Sequence, residues 1–446
     1  MSESSPDRDS PAAGDVLAAP VVAAQRIGSL DVLRGVAILG ILVMNIYAFA
    51  MPFPAYMNPL LMGGTDSLNI GIWFATHVFF DQKFLSIFAM LFGAGIILMT
   101  GRAEEKGAKY GRVYYRRQFW LLLIGALHGY LLWMGDILFL YAAIGMLAYL
   151  FRKKTPRTLI IIACCLLPVG LLFSAGMGIS AQKFQGIAIE AQAKIDAGEE
   201  ISIEQQEMLD DWAEMRIMMA PTAEDIDNDV AIHQGSYPEI VENRIPIVMM
   251  MQTFMVLFFG LWRVLALMLL GMALMKMGVL SAEKSAGFYK KMMLICYAIG
   301  LPFTVYSGVN LQAHDFDAVY ASLVGNIPNY IGSLVVGLGH IALVMLMIKS
   351  EFATKLLQRF AAVGRMALTN YLMHSVILTT VFYGYGLGLY GSVPRFQQMG
   401  FVVAVIGLQL FYSSWWLARY RFGPVEWLWR SLTYWQRQPM KRADSS

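Results

Sequence analysis

The sequence predicts an all-α, polytopic integral membrane protein with about ten transmembrane helices. Three observations carry that reading. Of 446 residues, 57% are hydrophobic and only 15% are charged, whereas soluble domains carry roughly 25% charged residues. Mean hydropathy is +0.55. Apolar runs long enough to cross a bilayer, about 20 residues each, recur along the whole chain. They are continuous, unlike the alternating segments of a transmembrane β-barrel.

Residues 1–25 come first. They are polar, acidic and rich in Pro and Ala, with no basic stretch ahead of an apolar one. This reads as a disordered cytoplasmic tail, not a cleaved signal peptide. Apolar runs follow at 33–50, 72–100, 116–135, 137–151, 158–179, 246–277, 291–310, 328–348, 361–383 and 397–418. The second and sixth exceed one crossing, so a tilt or a break is expected in each. The chain divides into a five-helix half at 26–179, a loop at 180–245, a second five-helix half at 246–420 and an aromatic, basic tail at 421–446.

Orientation follows from Lys and Arg. Arg26 and Arg34 precede the first span, and Arg102, Lys106, Lys109, Arg112, Arg116 and Arg117 lie between the second and third. Further basic clusters follow the fourth, sixth and eighth spans. These segments alternate, so all of them and both termini are expected in the cytoplasm. The acidic 180–245 loop then lies outside, as a solvated helical hairpin or as a lid over an outer vestibule. No internal repeat is evident, which weakens an inverted-repeat transporter.

Polar groups inside apolar spans are costly and point to function. Asp31 and Arg34 are three apart and can pair at the mouth of the first span. Arg34 can equally meet an entering anion, because guanidinium matches phosphate geometry. Asn45 lies roughly 16 Å further along the helix; it is interhelical glue or a donor to a developing oxyanion. His77 and Asp81 are four apart, so the carboxylate can orient the imidazole as a general base. His128 sits within the third span, eight residues before Asp136. Asp136 reads as a helix N-cap and His128 as a second candidate base or a satisfied core histidine. Arg365 and Asn370, in "GRMALTNYLMHS", are further pocket candidates. "RFGPVEWLWRSLTYWQRQP" reads as an interfacial helix with its arginines snorkelling, or as part of a cytoplasmic pocket.

Cys164 and Cys165 are adjacent and Cys296 is alone, which suggests neither a disulfide framework nor a metal site. HExxH, CxxC, GxSxG and Walker patterns are absent, so neither an ATPase nor a strong metal centre is expected. The lipid bilayer is the expected surrounding, a homodimer is compatible with the composition, and no nucleic-acid partner is expected.

"LDVLRGVAILGILVMN", "GDILFLYAAIG", "GRMALTNYL" and "FGPVEWLWRSLTYW" resemble the bacterial YeiB-type family, domain of unknown function 418, over about residues 26–440. The first helix is also similar to a wider superfamily of membrane acyltransferases that includes the lysosomal heparan-α-glucosaminide N-acetyltransferase. Their pattern is LDxxRG followed, 11 residues past the Arg, by His or Asn, here Asn45. The resemblance implies a catalytic Asn45 working with a base, either His77 with Asp81 or His128. It implies acetyl-CoA or another acyl-CoA as donor, its phosphates meeting Arg34, Arg112, Arg116 and Arg117. The implied protein sits in the bacterial inner membrane and acylates an extracytoplasmic hydroxyl or amine on a sugar, lipid or small metabolite. A small-solute transporter or exporter is the alternative. A non-catalytic component of an envelope complex is a third reading.

Overall fold

The computed structural model describes residues 28–442 apart from 106–109 and 352. The expected tail 1–25, together with Arg26, Lys106 and Lys109, lies outside the described residues. Among those described, the chain is helical from end to end with no named strand. In order the helices are α1 (Gly28–Ala50), α2 (Phe53–Met57), α3 (Ser67–Phe79), α4 (Lys83–Glu105), α5 (Gly111–Leu131), α6 (Leu138–Ala148), α7 (Pro156–Asp196), α8 (Ile203–Met219) and α9 (Ala223–His233). They continue as α10 (Tyr237–Met250), α11 (Leu261–Lys276), α12 (Ala286–Ala313), α13 (Ala318–Tyr320), α14 (Ile327–Lys349), α15 (Thr354–Arg365), α16 (Ala367–Phe382), α17 (Arg395–Arg419) and α18 (Pro424–Tyr434). A π-helical stretch, Met251–Gly260, joins α10 to α11.

Among the described residues, seven helical runs are long and apolar enough to cross a bilayer: Gly28–Ala50, Ser67–Gly101, Pro156–Asp196, Tyr237–Phe258, Ala286–Ala313, Ile327–Lys349 and Arg395–Arg419. The other expected spans fall on α5, α6 and α16. Each has a reason for being atypical. α5 opens with Arg112, Arg116 and Arg117. α6 has 11 residues, roughly 16 Å of helix against a hydrocarbon core of about 30 Å. The ninth expected span, 361–383, is in fact two helices. The break at Met366 is held by Glu426 of α18, whose Oε1 accepts the Leu368 N–H at 2.7 Å and the Thr369 N–H at 3.0 Å. A carboxylate there satisfies the free donors of the α16 N-terminus. The second span breaks at Phe80–Gln82, where Gln82 takes φ 61°, and the sixth carries the π-helical stretch.

Glycines set the tightest crossings. A Cβ on Gly35 would sit 1.9 Å from the Phe360 carbonyl, and one on Gly364 would sit 1.9 Å from the Asp31 carbonyl. α1 and α15 thus cross backbone to backbone. Gly93 and Gly271 do the same for α4 and α11, each facing the other helix's backbone carbonyl at 1.9 Å. Without a hydrophobic drive between helices in lipid, such close approach supplies the dispersion contact that holds them.

The expected borders of the 180–245 loop both fall inside helices, because α7 runs on to Asp196 and α10 starts at Tyr237. Ser202 with Gln205 and Thr222 with Asp225 form capping boxes that start α8 and α9. The segment does not stand free in solvent. α8 touches α2, and α9 docks on the loop after α16. There the Gly384 N–H donates to the His233 carbonyl at 2.9 Å and Tyr390 donates to Asp229 Oδ1 at 2.8 Å.

Two outcomes follow from this packing. Gly35→Ala and Gly93→Ala should each force a crossing apart at a cost of about 1–3 kcal/mol, read as earlier aggregation of the detergent-purified protein on heating. Bonds from the Thr222 hydroxyl and N–H, and then from Arg216, hold the Asp225 carboxyl down at about 2. An unfolded Asp titrates near 3.9. This clasp therefore contributes in full above that pH and is lost as pH falls through about 2. Pepsin should nick the α8–α9 segment at pH 2 and spare it at pH 4, whereas Asp225→Asn should be nicked at both.

Candidate active site

α1 is enclosed by protein. From Ala37 to Met51 every residue is buried except Asn45, which is partly exposed. Asn45 makes no hydrogen bond among the described residues. A dry, unpaired amide costs about 1–3 kcal/mol, so the opening is a place for water or a ligand group.

Helix phase gives the direction it faces. Ile38, seven residues earlier, lies about 20° away around a 3.6-residue helix. It packs in a buried cluster with Leu121 of α5, Leu138 of α6, and Leu368 and Tyr371 of α16. Beyond Asn45, Phe49 stacks on Trp133 with centroids 3.9 Å apart, and the Ala48 carbonyl accepts Trp133 Nε1–H at 3.3 Å. Asn45 faces the layer between these contacts.

His128 of α5 and Ser375 of α16 stand one heptad beyond Leu121 and Leu368, on the side of α1 that Asn45 faces. They meet directly. Ser375 Oγ lies 2.7 Å from His128 Nε2, and Asp136 Oδ2 lies 2.7 Å from His128 Nδ1. All three side chains are buried. A carboxylate only accepts, so Nδ1 carries the proton toward Asp136 and Nε2 accepts from the serine hydroxyl. Asp136 Oδ1 also accepts the Phe139 N–H at 2.7 Å and so caps α6. The turn before α6 is non-helical backbone among helices, which is tolerated where protein satisfies it. Tyr371 does this, donating to the Gly135 carbonyl at 3.1 Å and accepting the Ile137 N–H at 3.2 Å. Gln252 of the π-helical stretch lies beside Gly129 and Asp136, and its buried Nε2 has no partner among the described residues.

His77 and Asp81 form a separate group on the other side of α1. Tyr47, about 200° around the helix from Asn45, shares a hydrogen bond with Thr76 at 3.0 Å. Asp81 Oδ2 is 3.5 Å from His77 Nδ1, but Asn329 holds the same oxygen more closely, at 2.6 Å. Lys83 donates to Asn329 Oδ1 at 2.7 Å and to the His77 carbonyl. Arg263 donates to Ser333 Oγ at 2.8 Å and to the Tyr330 carbonyl at 3.0 Å. This network bridges the α3–α4 break. The expected pairing of Asn45 with His77 is therefore not what the helix phase supports. By phase Asn45 lies on the Ile38 side of α1, the side toward α5, α6 and α16 that carry His128, Asp136 and Ser375.

The remaining candidates divide by position. Arg34 donates to Asp31 at 3.2 Å. Arg112 is exposed at the start of α5. Arg116 stands 5.7 Å from the Trp435 ring and Arg117 3.6 Å from the Trp429 ring, while Trp429 Nε1–H donates to the Arg117 carbonyl at 2.9 Å. Arg365 ends α15 beside the α1 crossing. These groups make one basic, aromatic end of the bundle. Asn370 donates to Ser413 Oγ at 2.9 Å and to the Val363 carbonyl at 3.2 Å, so it ties α16 to α17 and α15. An apolar cleft of about 460 Å³ between α17 and α18, lined by Trp416, Val425, Trp427 and Leu428, includes none of the ionisable candidates.

A family model described as "Protein of unknown function (DUF418)" matches residues 274–436. The chain is 34% identical over 433 residues to Uncharacterized protein YxaH of Bacillus subtilis (strain 168), covering 95% of this chain and 98% of that one. It is 30% identical over 409 residues to Uncharacterized protein YeiB of Escherichia coli (strain K12), covering 91% and 95%. No solved structure matches.

The two polar groups should respond differently to substitution. Asn45→Ala removes no protein hydrogen bond and should leave the melting temperature close to the parent's. Asn329→Ala strips both Asp81 and Lys83 of a buried partner and should cost at least about 1–3 kcal/mol. Thermal unfolding of both variants in one detergent checks the contrast.

Proposed function

We propose that this chain, which belongs to the YeiB-type family of membrane proteins (DUF418), is a transmembrane acyltransferase. It takes an acyl group from acyl-CoA on the basic face and passes it to a hydroxyl or amine that enters from the opposite face. The observation that carries the reading is Asn45: an amide with no hydrogen bond among the described residues, the one partly open residue between Ala37 and Met51, on the side of α1 toward a histidine that a carboxylate orients.

The chemistry divides among the named residues. The positive-inside rule makes the basic end cytoplasmic. There Arg34, Arg116, Arg117 and Arg365 offer guanidinium groups to the donor's phosphates. Asn45 lies roughly 16 Å from Arg34 along α1, a distance that an extended pantetheine arm spans. The Asn45 amide can donate to the thioester oxygen as it gains charge. His128, held in one tautomer by Asp136, removes the proton from the attacking group. The α8–α9 segment covers the far face, where the acceptor enters.

A second reading rests on the α3–α4 break. A broken span wrapped around Asp81, Lys83, Asn329 and Arg263 is the kind of element that binds a solute at depth in exporters.

Acyl-CoA titration of the purified protein separates the two. A ligand at 100 times its Kd stabilises by about 2.7 kcal/mol. Acetyl-, butyryl- or palmitoyl-CoA should raise the melting temperature, and Arg117→Ala should shrink the rise. No rise with any acyl-CoA into the millimolar range, together with solute uptake into proteoliposomes, would turn the assignment to the exporter.

A further inference from the structure

The proposed transfer leaves open which hydroxyl His128 activates first. One stands against its Nε2 already. We infer that Ser375 is the acyl carrier, so that transfer proceeds through a covalent Ser375 ester and not directly from CoA to acceptor. This inference rests on the acyltransferase reading.

The geometry assigns the parts. Asp136 Oδ2, His128 Nδ1, His128 Nε2 and Ser375 Oγ form an unbroken line of contacts at 2.7 Å and 2.7 Å. That is the order nucleophile, base, orienting carboxylate by which a serine is activated on unrelated folds. Each member is independently fixed. Asp136 is anchored by the Phe139 N–H at 2.7 Å. The turn that carries it is held through the Tyr371 hydroxyl, four residues before Ser375 on α16. His128 lies in the last turn of α5, and its ring centroid is 5.2 Å from that of Tyr371. Two amides on this side have no hydrogen-bond partner among the described residues: Asn45 and the buried Nε2 of Gln252 beside Asp136. Free donors on the face toward an activated hydroxyl suit a carbonyl oxygen that becomes an oxyanion. A structural serine needs none of this; a bond to a helical carbonyl one turn back would satisfy it, as it does for Thr379, which donates to the Ser375 carbonyl at 2.7 Å.

The steps balance. Ser375 Oγ attacks the thioester carbon as its proton passes to His128 Nε2. The carbon–sulfur bond breaks, and the thiolate takes that proton and leaves as CoA. The acceptor hydroxyl or amine then loses its proton to His128 and attacks the ester carbon. The Ser375–acyl bond breaks, and Ser375 Oγ recovers the proton. His128 is neutral at the end of each half.

A covalent carrier allows the first half to run without acceptor. The purified protein should therefore exchange label between free CoA and acetyl-CoA, or a longer acyl-CoA that binds, and should retain labelled acyl group on the Ser375 peptide after denaturation. Ser375→Ala should lose the label and slow the exchange by on the order of 10³-fold while keeping the acyl-CoA melting shift. Ser375→Cys covers the case in which the alanine variant fails to fold. It should carry the acyl group as a thioester, released by neutral hydroxylamine, where the parent ester resists. An acyl-CoA melting shift in the parent with neither exchange nor label would overturn the serine carrier and leave direct transfer standing. No melting shift with any acyl-CoA would overturn both.

Discussion

The bundle is arranged around a helix that touches almost no lipid. The spanning stretch of α1 is 83% buried, against 17% for α7 and 28% for α17. A helix enclosed in this way needs small residues where neighbours cross, hence Gly35 against α15, and it cannot hide a polar group in lipid. Whatever polarity it carries must be met by protein, water or ligand. Tyr47 is met by Thr76. Asn45 has no hydrogen-bond partner among the described residues, and that difference separates the two sides of the helix.

Breaks in the helices are the second consequence. Polar backbone freed inside a bilayer must be satisfied locally, and each break here has its own means. Glu426 reaches from α18 to cap α16. Tyr371 serves both a donor and an acceptor of the turn before α6. Lys83 accepts the burden at the α3–α4 break by donating to the His77 carbonyl. Tyr371 reaches the turn before α6 from the other half of the chain, and Lys83 also donates to Asn329 across the same divide, so these two breaks fasten the halves of the bundle together.

Hydropathy and spacing make much of this legible. The helical class, the Asp31–Arg34 pair, the Asp136 cap and the interruption of spans two and six all follow from local pattern, because each depends on residues a few positions apart. Asn45 and His128 stand out as polar groups in apolar runs. Their shared side of α1 does not, since it depends on how α1 and α5 rotate against each other. Ser375 is invisible in the same way. Its partner is 247 residues away, and a serine after a histidine in a helix carries no signal. Arg263 is different: a lone cation within "LFFGLWRVLALM" is a visible mark of a buried polar site. The break at Met366 is hidden because nothing local ends the helix; the carboxylate that caps α16 lies 58 residues on.

The apolar layer formed by Ile38, Leu121, Leu138 and Leu368 has a meaning of its own in an energised membrane. Ile38, Leu121 and Leu368 lie one heptad to the basic side of Asn45, His128 and Ser375, and all four members are buried. A hydrophobic constriction of this kind stays dry. Closed, such a layer resists the passage of water and ions between the Arg34 end and Asn45. The donor arm of the proposed transfer must part these side chains to reach Asn45 from Arg34, so the layer is a seal that opens only around its own substrate.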